Sequence, residues 1–198
     1  MVRGTLVNLA VSQLAFTASG GYHHAAMATR IGNRRFDIQI HRACRAVPLP
    51  VARLRKVVTA VLVDEDVAAA ELVIAIVDDA EIHRVNREHL AHDYPTDVIS
   101  FLYSADQDLA EQGAADQPGR PSTARRRGAN LCIEGELVVS AETAAREAPR
   151  HKQSPASELE LYVIHGLLHL AGYDDLTPAE KRIMRRRERE ITALVNPI

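Results

Sequence analysis

The sequence predicts an α/β fold, and three observations carry that prediction. Glu71-Leu-Val-Ile-Ala-Ile-Val77 is a continuous, largely β-branched run, the pattern of a strand covered on both faces. Asp78 follows at once, with Glu81 three residues on, so a capping box starts a helix where the strand stops. The stretch Ser157 to Ala171 is apolar nearly all round, with Leu161, Val163, Ile164, Leu167, Leu168 and Leu170, which marks a helix at the centre of the core.

The other elements follow in chain order. Residues 5 to 18 are mildly apolar after Arg3, but Asn8, Ser12 and Gln13 interrupt the run, so it is not read as a signal peptide. Residues 1–32, ending in a Gly- and His-rich patch, read as a disordered extension ahead of one domain over 33–198. Phe36-Asp-Ile-Gln-Ile-His41 alternates apolar and polar, as a half-buried strand does. After Pro48 and Pro50, Val51, Leu54, Val57, Val58, Val61 and Leu62 recur at helical spacing. Ile82, Val85 and Leu90 form the inward side of the helix that Asp78 caps.

Tyr94 to Phe101 begins as a turn and becomes a short strand. Residues 104–130 carry Gly, Pro, Asp, Gln and four arginines with little apolar spacing, the composition of a long solvated loop. Arg125-Arg-Arg127 within it suits RNA phosphates but reads first as solvated charge. Leu131 to Ser140 returns to strand, with Gly135 marking a bulge or a close backbone approach. Ala141 to Arg150 is helical and ends at Pro149 and Pro155. Thr177-Pro-Ala-Glu180 starts a final helix whose Arg185, Arg186 and Arg189 are candidate RNA contacts, the alternative being a salt-bridged solvent face.

The chemistry concentrates in His165-Gly-Leu-Leu-His169-Leu-Ala-Gly172-Tyr-Asp174-Asp175. Histidines four apart on a helix share one face, about 6 Å apart at Cβ, and can reach a single ion. Gly172 suits a helix end and turns the chain back, which brings Asp175 into position as a third ligand. Three protein ligands leave a fourth tetrahedral position open, the layout of a catalytic zinc site. Asp174 and Asp97 are candidates to orient a water or a ligand histidine, against the common alternative of turn and cap chemistry. Two hydrogen-bonded core histidines would give the same His-x3-His spacing. Gly166 stands where helical zinc proteases carry their general-base glutamate, which argues against peptide hydrolysis unless Glu134, Glu136 or Glu158 replaces it.

With 24 basic and 26 acidic residues the net charge is -2, so any nucleic-acid surface must be local. Cys44 and Cys132, far apart in sequence, propose neither a disulfide framework nor a metal pair, and their usage fits a reducing cytosol. No run is apolar and long enough to span a bilayer.

Pro95-Thr-Asp-Val-Ile-Ser-Phe101, Gly135-Glu-Leu-Val-Val-Ser140 and His165-Gly-Leu-Leu-His169-Leu-Ala-Gly-Tyr-Asp174 together resemble the YbeY family of bacterial rRNA maturation factors, over about residues 36–195. The resemblance implies a small α/β (α+β) fold with a mixed four-stranded sheet, about five helices and a central metal-binding helix. It also implies one zinc ion and single-strand-specific endoribonuclease activity in small-subunit rRNA processing and ribosome quality control. Implied partners are rRNA, small-subunit ribosomal proteins and an assembly GTPase. Two positions depart from the family pattern. Asp175 stands where the family has a third histidine, and Leu90 stands where it usually has an arginine. The alternatives to the enzyme are a non-catalytic, metal-stabilised ribosome assembly factor and, less favoured, a metalloprotease.

Overall fold

The computed structural model describes residues 6–7, 35–107 and 126–196. Four long strands build the sheet: β2 (Phe36–Arg42), β3 (Ala69–Val77), β4 (Val98–Gln107) and β5 (Leu131–Ser140). A two-residue strand, β1 (Leu6–Val7), lies parallel to β4 at its outer edge, and the sheet order is β1-β4-β5-β3-β2. β2, β3 and β5 run parallel, while β4 runs antiparallel to β5, so the sheet is mixed as expected. Apart from Leu6–Val7, the extension expected over 1–32 lies outside the described residues, as do residues 108–125 of the expected loop. β4 continues to Gln107, so Ser104 to Gln107 are strand and not loop. They pair with β5 down to Leu131, which satisfies backbone groups that a loop would leave to water.

Five helices complete the described residues: α1 (Val51–Asp64), α2 (Asp79–Leu90), α3 (Ala141–Glu147), α4 (Pro155–Leu170) and α5 (Pro178–Val195). Their starts follow local chemistry. The side chains of Asp78, Ser140, Ser154 and Thr177 each accept from the backbone N–H three residues on, and Thr177 and Glu180 complete a capping box. α3 stops at Glu147, before Pro149, and is shorter than the sequence pattern suggested.

One face of the sheet packs against α1, α4 and α5 in a large core that includes Leu54, Leu72, Ile74, Leu137, Ile164 and Leu168. Among the described residues, the other face carries a small cluster under α2, with Ile82, Val85, Phe101 and Val138. That asymmetry corrects the reading of β3 as covered on both faces. Leu72, Ile74 and Ile76 are buried, while Glu71, Val73 and Ala75 on the α2 side are only half-buried. No helix among the described residues is long and apolar enough to cross a membrane.

Two glycines let α4 sit close to the sheet. Gly135 lies opposite a bulge, the register shifting between Leu102 and Ser104 of β4, and a Cβ on it would stand 2.8 Å from the Phe101 carbonyl. Gly166 presses on the sheet, where a Cβ would meet Leu137 at 2.9 Å and Val98 and Ser100 at 3.1 Å. Gly135→Ala therefore forces backbone apart in a paired strand. We expect it to lower stability by about 1–3 kcal/mol in urea unfolding, the range of overpacking defects.

Candidate active site

α4 is the most buried helix, and its one polar stripe faces a cleft. The spacing of His165 and His169 places their rings edge to face, centroids 4.6 Å apart, with the two Nε2 atoms 3.1 Å from each other. Each ring is fixed through its other nitrogen. His169 Nδ1 donates to the Tyr173 carbonyl at 3.0 Å, and His165 Nδ1 donates to Glu188 Oε1 of α5 at 2.7 Å. A carbonyl and a carboxylate only accept, so both Nδ1 atoms carry the hydrogen and both Nε2 lone pairs are left facing each other.

Two lone pairs at that distance repel unless a proton or a cation lies between them. The electrostatics divide the pair accordingly. Burial presses the His165 pKa down, but the hydrogen bond and charge of Glu188, joined by Asp97 and Asp175, outweigh it and hold the pKa above its ordinary value. Burial and the neighbouring His165 charge together lower that of His169. A single ion with tetrahedral angles and bonds of about 2.05 Å needs its two nitrogens roughly 3.3 Å apart, close to the separation found.

The Gly172 turn, at φ +89°, reverses the chain after α4, a conformation that glycine adopts at no steric cost. It brings Asp175 to the same cleft as His165. Asp175 Oδ1 is buried and has no hydrogen-bond partner. Among the described residues, however, no three His, Cys, Asp or Glu side chains gather as a set that could hold an ion. What the chain assembles is the imidazole pair, with an unsatisfied carboxylate oxygen nearby.

Asp174 Oδ1 accepts from the Asp175 amide at 2.7 Å, which is turn chemistry. Asp97 accepts from the Val98 amide and the Thr96 hydroxyl, lines the cleft, and has its pKa pushed up by burial. Neither Glu136 nor Glu158 joins the pair: Glu136 accepts from the Tyr103 hydroxyl and Glu158 bonds His151. Gly166, jammed against the sheet, leaves no room for the glutamate of a helical zinc protease.

The cleft measures about 1030 Å³ and opens between α3, α4, α5 and the Pro95–Asp97 turn. Lys181, Arg185 and Arg189, each four residues apart on α5, line one wall. Arg186 does not line it and pairs with Glu190 at 3.7 Å, so of the three arginines proposed from sequence, two face the cleft. Of the Arg125–Arg127 run, Arg125 lies outside the described residues, and Arg126 and Arg127 both make contacts within the fold. Arg126 pairs with Asp64 and Glu190, and Arg127 donates to the Gly172 carbonyl at 2.8 Å while lying over the Tyr173 ring.

Sequence reasoning missed Glu188, which lies in a helix read for its arginines. Its signal was available, because it is the acid that falls on the same helical face as Arg185 and Met184. Tyr173's anchoring was not visible: its hydroxyl donates to buried Glu65, which Arg187 also grips.

A cleft floored by paired histidines, with Lys181, Arg185 and Arg189 along one wall, on a mixed sheet, defines a small α/β protein with a candidate catalytic site. The family model described as Endoribonuclease YbeY matches residues 39–196. A relative named Endoribonuclease YbeY from Rhodopirellula baltica is 44% identical over 117 residues, 58% of this chain and 48% of that protein. The one from Syntrophotalea carbinolica is 35% identical across 80% of this chain and 95% of its own. The one from Chlorobium phaeovibrioides is 35% identical across 76% and 85%. The solution structure of TM1509 from Thermotoga maritima shares the fold, with TM-score 0.53 at 22% identity over 80% of this chain and 89% of that one. The chain belongs to the Endoribonuclease YbeY family. Leu90 packs against the small cluster under α2.

Glu188→Gln removes the charge that holds His165 up against burial. In metal-free protein an NMR titration should show the His165 pKa falling below the ordinary histidine value; an unchanged pKa would contradict the role given to Glu188.

Proposed function

We propose that the chain is a zinc-dependent endoribonuclease that cuts single-stranded RNA in small-subunit rRNA maturation and ribosome quality control. The observation that carries this reading is the pair of Nε2 lone pairs 3.1 Å apart, each ring locked by an acceptor on its far nitrogen. The Asp175 oxygen, buried and unpartnered in the same cleft, supports its choice as third ligand. In this reading His165, His169 and Asp175 hold the ion, which when bound supplies Lewis acidity toward a phosphodiester oxygen.

The chain's own groups do the rest. Glu188 and the Tyr173 carbonyl keep both rings in the tautomer that presents Nε2. Lys181, Arg185 and Arg189 attract the phosphate backbone along one wall. Asp97, buried beside His165 with a raised pKa, is the group we assign to orient and deprotonate the attacking water. A carboxylate ligand adds negative charge that a third imidazole would not, which weakens the ion's acidifying effect. The accompanying partners are rRNA, small-subunit ribosomal proteins and an assembly GTPase in the cytoplasm.

The non-catalytic assembly factor is the second reading, favoured by Leu90, which offers no cation to clamp a phosphate. His169→Ala separates the two. For the enzyme, elemental analysis should drop from one zinc per chain to none, and single-strand cleavage should fall more than about 100-fold, a loss that even an outer partner of a ligand can cause. Ribosome association retained alongside zero cleavage by the wild type would favour the binder.

A further inference from the structure

The cleft runs past the imidazole pair to the start of α4 and ends at a second histidine–carboxylate pair. Glu158 lies seven residues before His165, two turns along the same helix and about 10 Å down its axis. It is fully buried, and its Oε1 accepts from His151 Nδ1 at 2.8 Å. No donor reaches its Oε2, although the Tyr162 hydroxyl is near enough for burial, Glu158 and Asp97 to push the phenol's pKa up.

A buried carboxylate with half its acceptor capacity unused is expensive, and an apolar residue in this helix would avoid the expense. What Glu158 achieves is orientation. With Nδ1 committed inward, His151 turns Nε2 outward on a half-exposed ring that lines the cleft. Glu188 applies the same device to His165. The neighbouring Glu147 carboxylate is taken up by Arg150 at 2.8 Å and Arg146 at 3.6 Å, which offsets its charge at this rim.

We propose that His151 is a second contact for the RNA strand, accepting at Nε2 from a ribose 2′-hydroxyl at least one nucleotide beyond the one held at the imidazole pair, with Glu158 as its positioning residue. A single strand laid along α4 would then be gripped at both ends of the polar stripe Glu158, Tyr162, His165. The inference depends on the RNA reading above, and its test keeps the two apart.

The test is binding of a fluorescent hexaribonucleotide and a diribonucleotide to the full zinc-loaded chain, read by anisotropy before turnover. His151→Asn keeps an amide N–H where Nδ1 was, so Glu158 stays bonded, but it removes Nε2. It should weaken the hexanucleotide roughly three- to tenfold, the worth of one hydrogen bond, and leave the dinucleotide unchanged. His151→Ala should show the same loss together with a lower Tm, because Glu158 then has no donor. Glu158→Gln, whose amide oxygen still accepts from the ring, should keep the preference for length, and Glu158→Ala should lose it. A His151→Asn variant that binds both strands like the wild type overturns the proposal and leaves His151 a cap for a buried carboxylate. A wild type without affinity for either strand overturns the RNA reading itself, and this inference with it.

Discussion

Two imidazole Nε2 atoms, held 3.1 Å apart by bonds made on the far sides of both rings, are the constraint on which the site depends. Neutral rings in that arrangement repel, so the fold has built a place for positive charge and has fixed where it must sit. Helical spacing alone brings two histidines to one face. The rest comes from α5, which delivers Glu188, and from the Gly172 turn, which delivers the Tyr173 carbonyl.

The scaffold spends several buried polar groups on keeping that carbonyl still. Arg187, almost wholly buried, binds Glu65, Asp64 and Glu190 at once, and Glu65 in turn accepts from the Tyr173 hydroxyl. Breaking such a buried network by removing one partner typically costs about 3–5 kcal/mol, far more than a surface pair. Arg127 closes the same turn from the other side through the Gly172 carbonyl. The anchor therefore ties the end of α1, the middle of α5 and the strand-to-strand connection to one residue beside His169. On its opposite side α4 is set by Gly166, whose missing side chain lets the helix meet β4 and β5 closely and whose carbonyl accepts from Ser100.

Most of the elements were legible because each is written locally. Asp78 and Thr177 marked the starts of α2 and α5, alternation marked β2, and the continuous run marked β3. Gly135 signalled both the close approach and the bulge that the sheet contains. The end of β4 was not legible, because Ser104 to Gln107 are polar and become strand only through pairing with β5. At the site, the His165 and His169 pair was legible from spacing, whereas the partners of its supports were not: helical spacing places Glu188 on the cleft face of α5 without saying which ring it meets. Glu188 is 23 residues from His165 and Glu65 is 108 from Tyr173, so only the folded chain reveals that they meet. The arginines show the same limit. Arg185 and Arg186 are equivalent in sequence, yet helical geometry turns one to the cleft and the other to Glu190.

X-ray absorption on the zinc-loaded protein tests the central claim most directly, since it reads the atoms around the ion without reference to activity. The account predicts one zinc per chain with two nitrogen neighbours at about 2.0–2.1 Å and at least one oxygen at about 2.0–2.2 Å, both nitrogens disappearing in the His165→Ala, His169→Ala double variant. A spectrum without paired nitrogen ligands, or one that the double variant leaves intact, would contradict it.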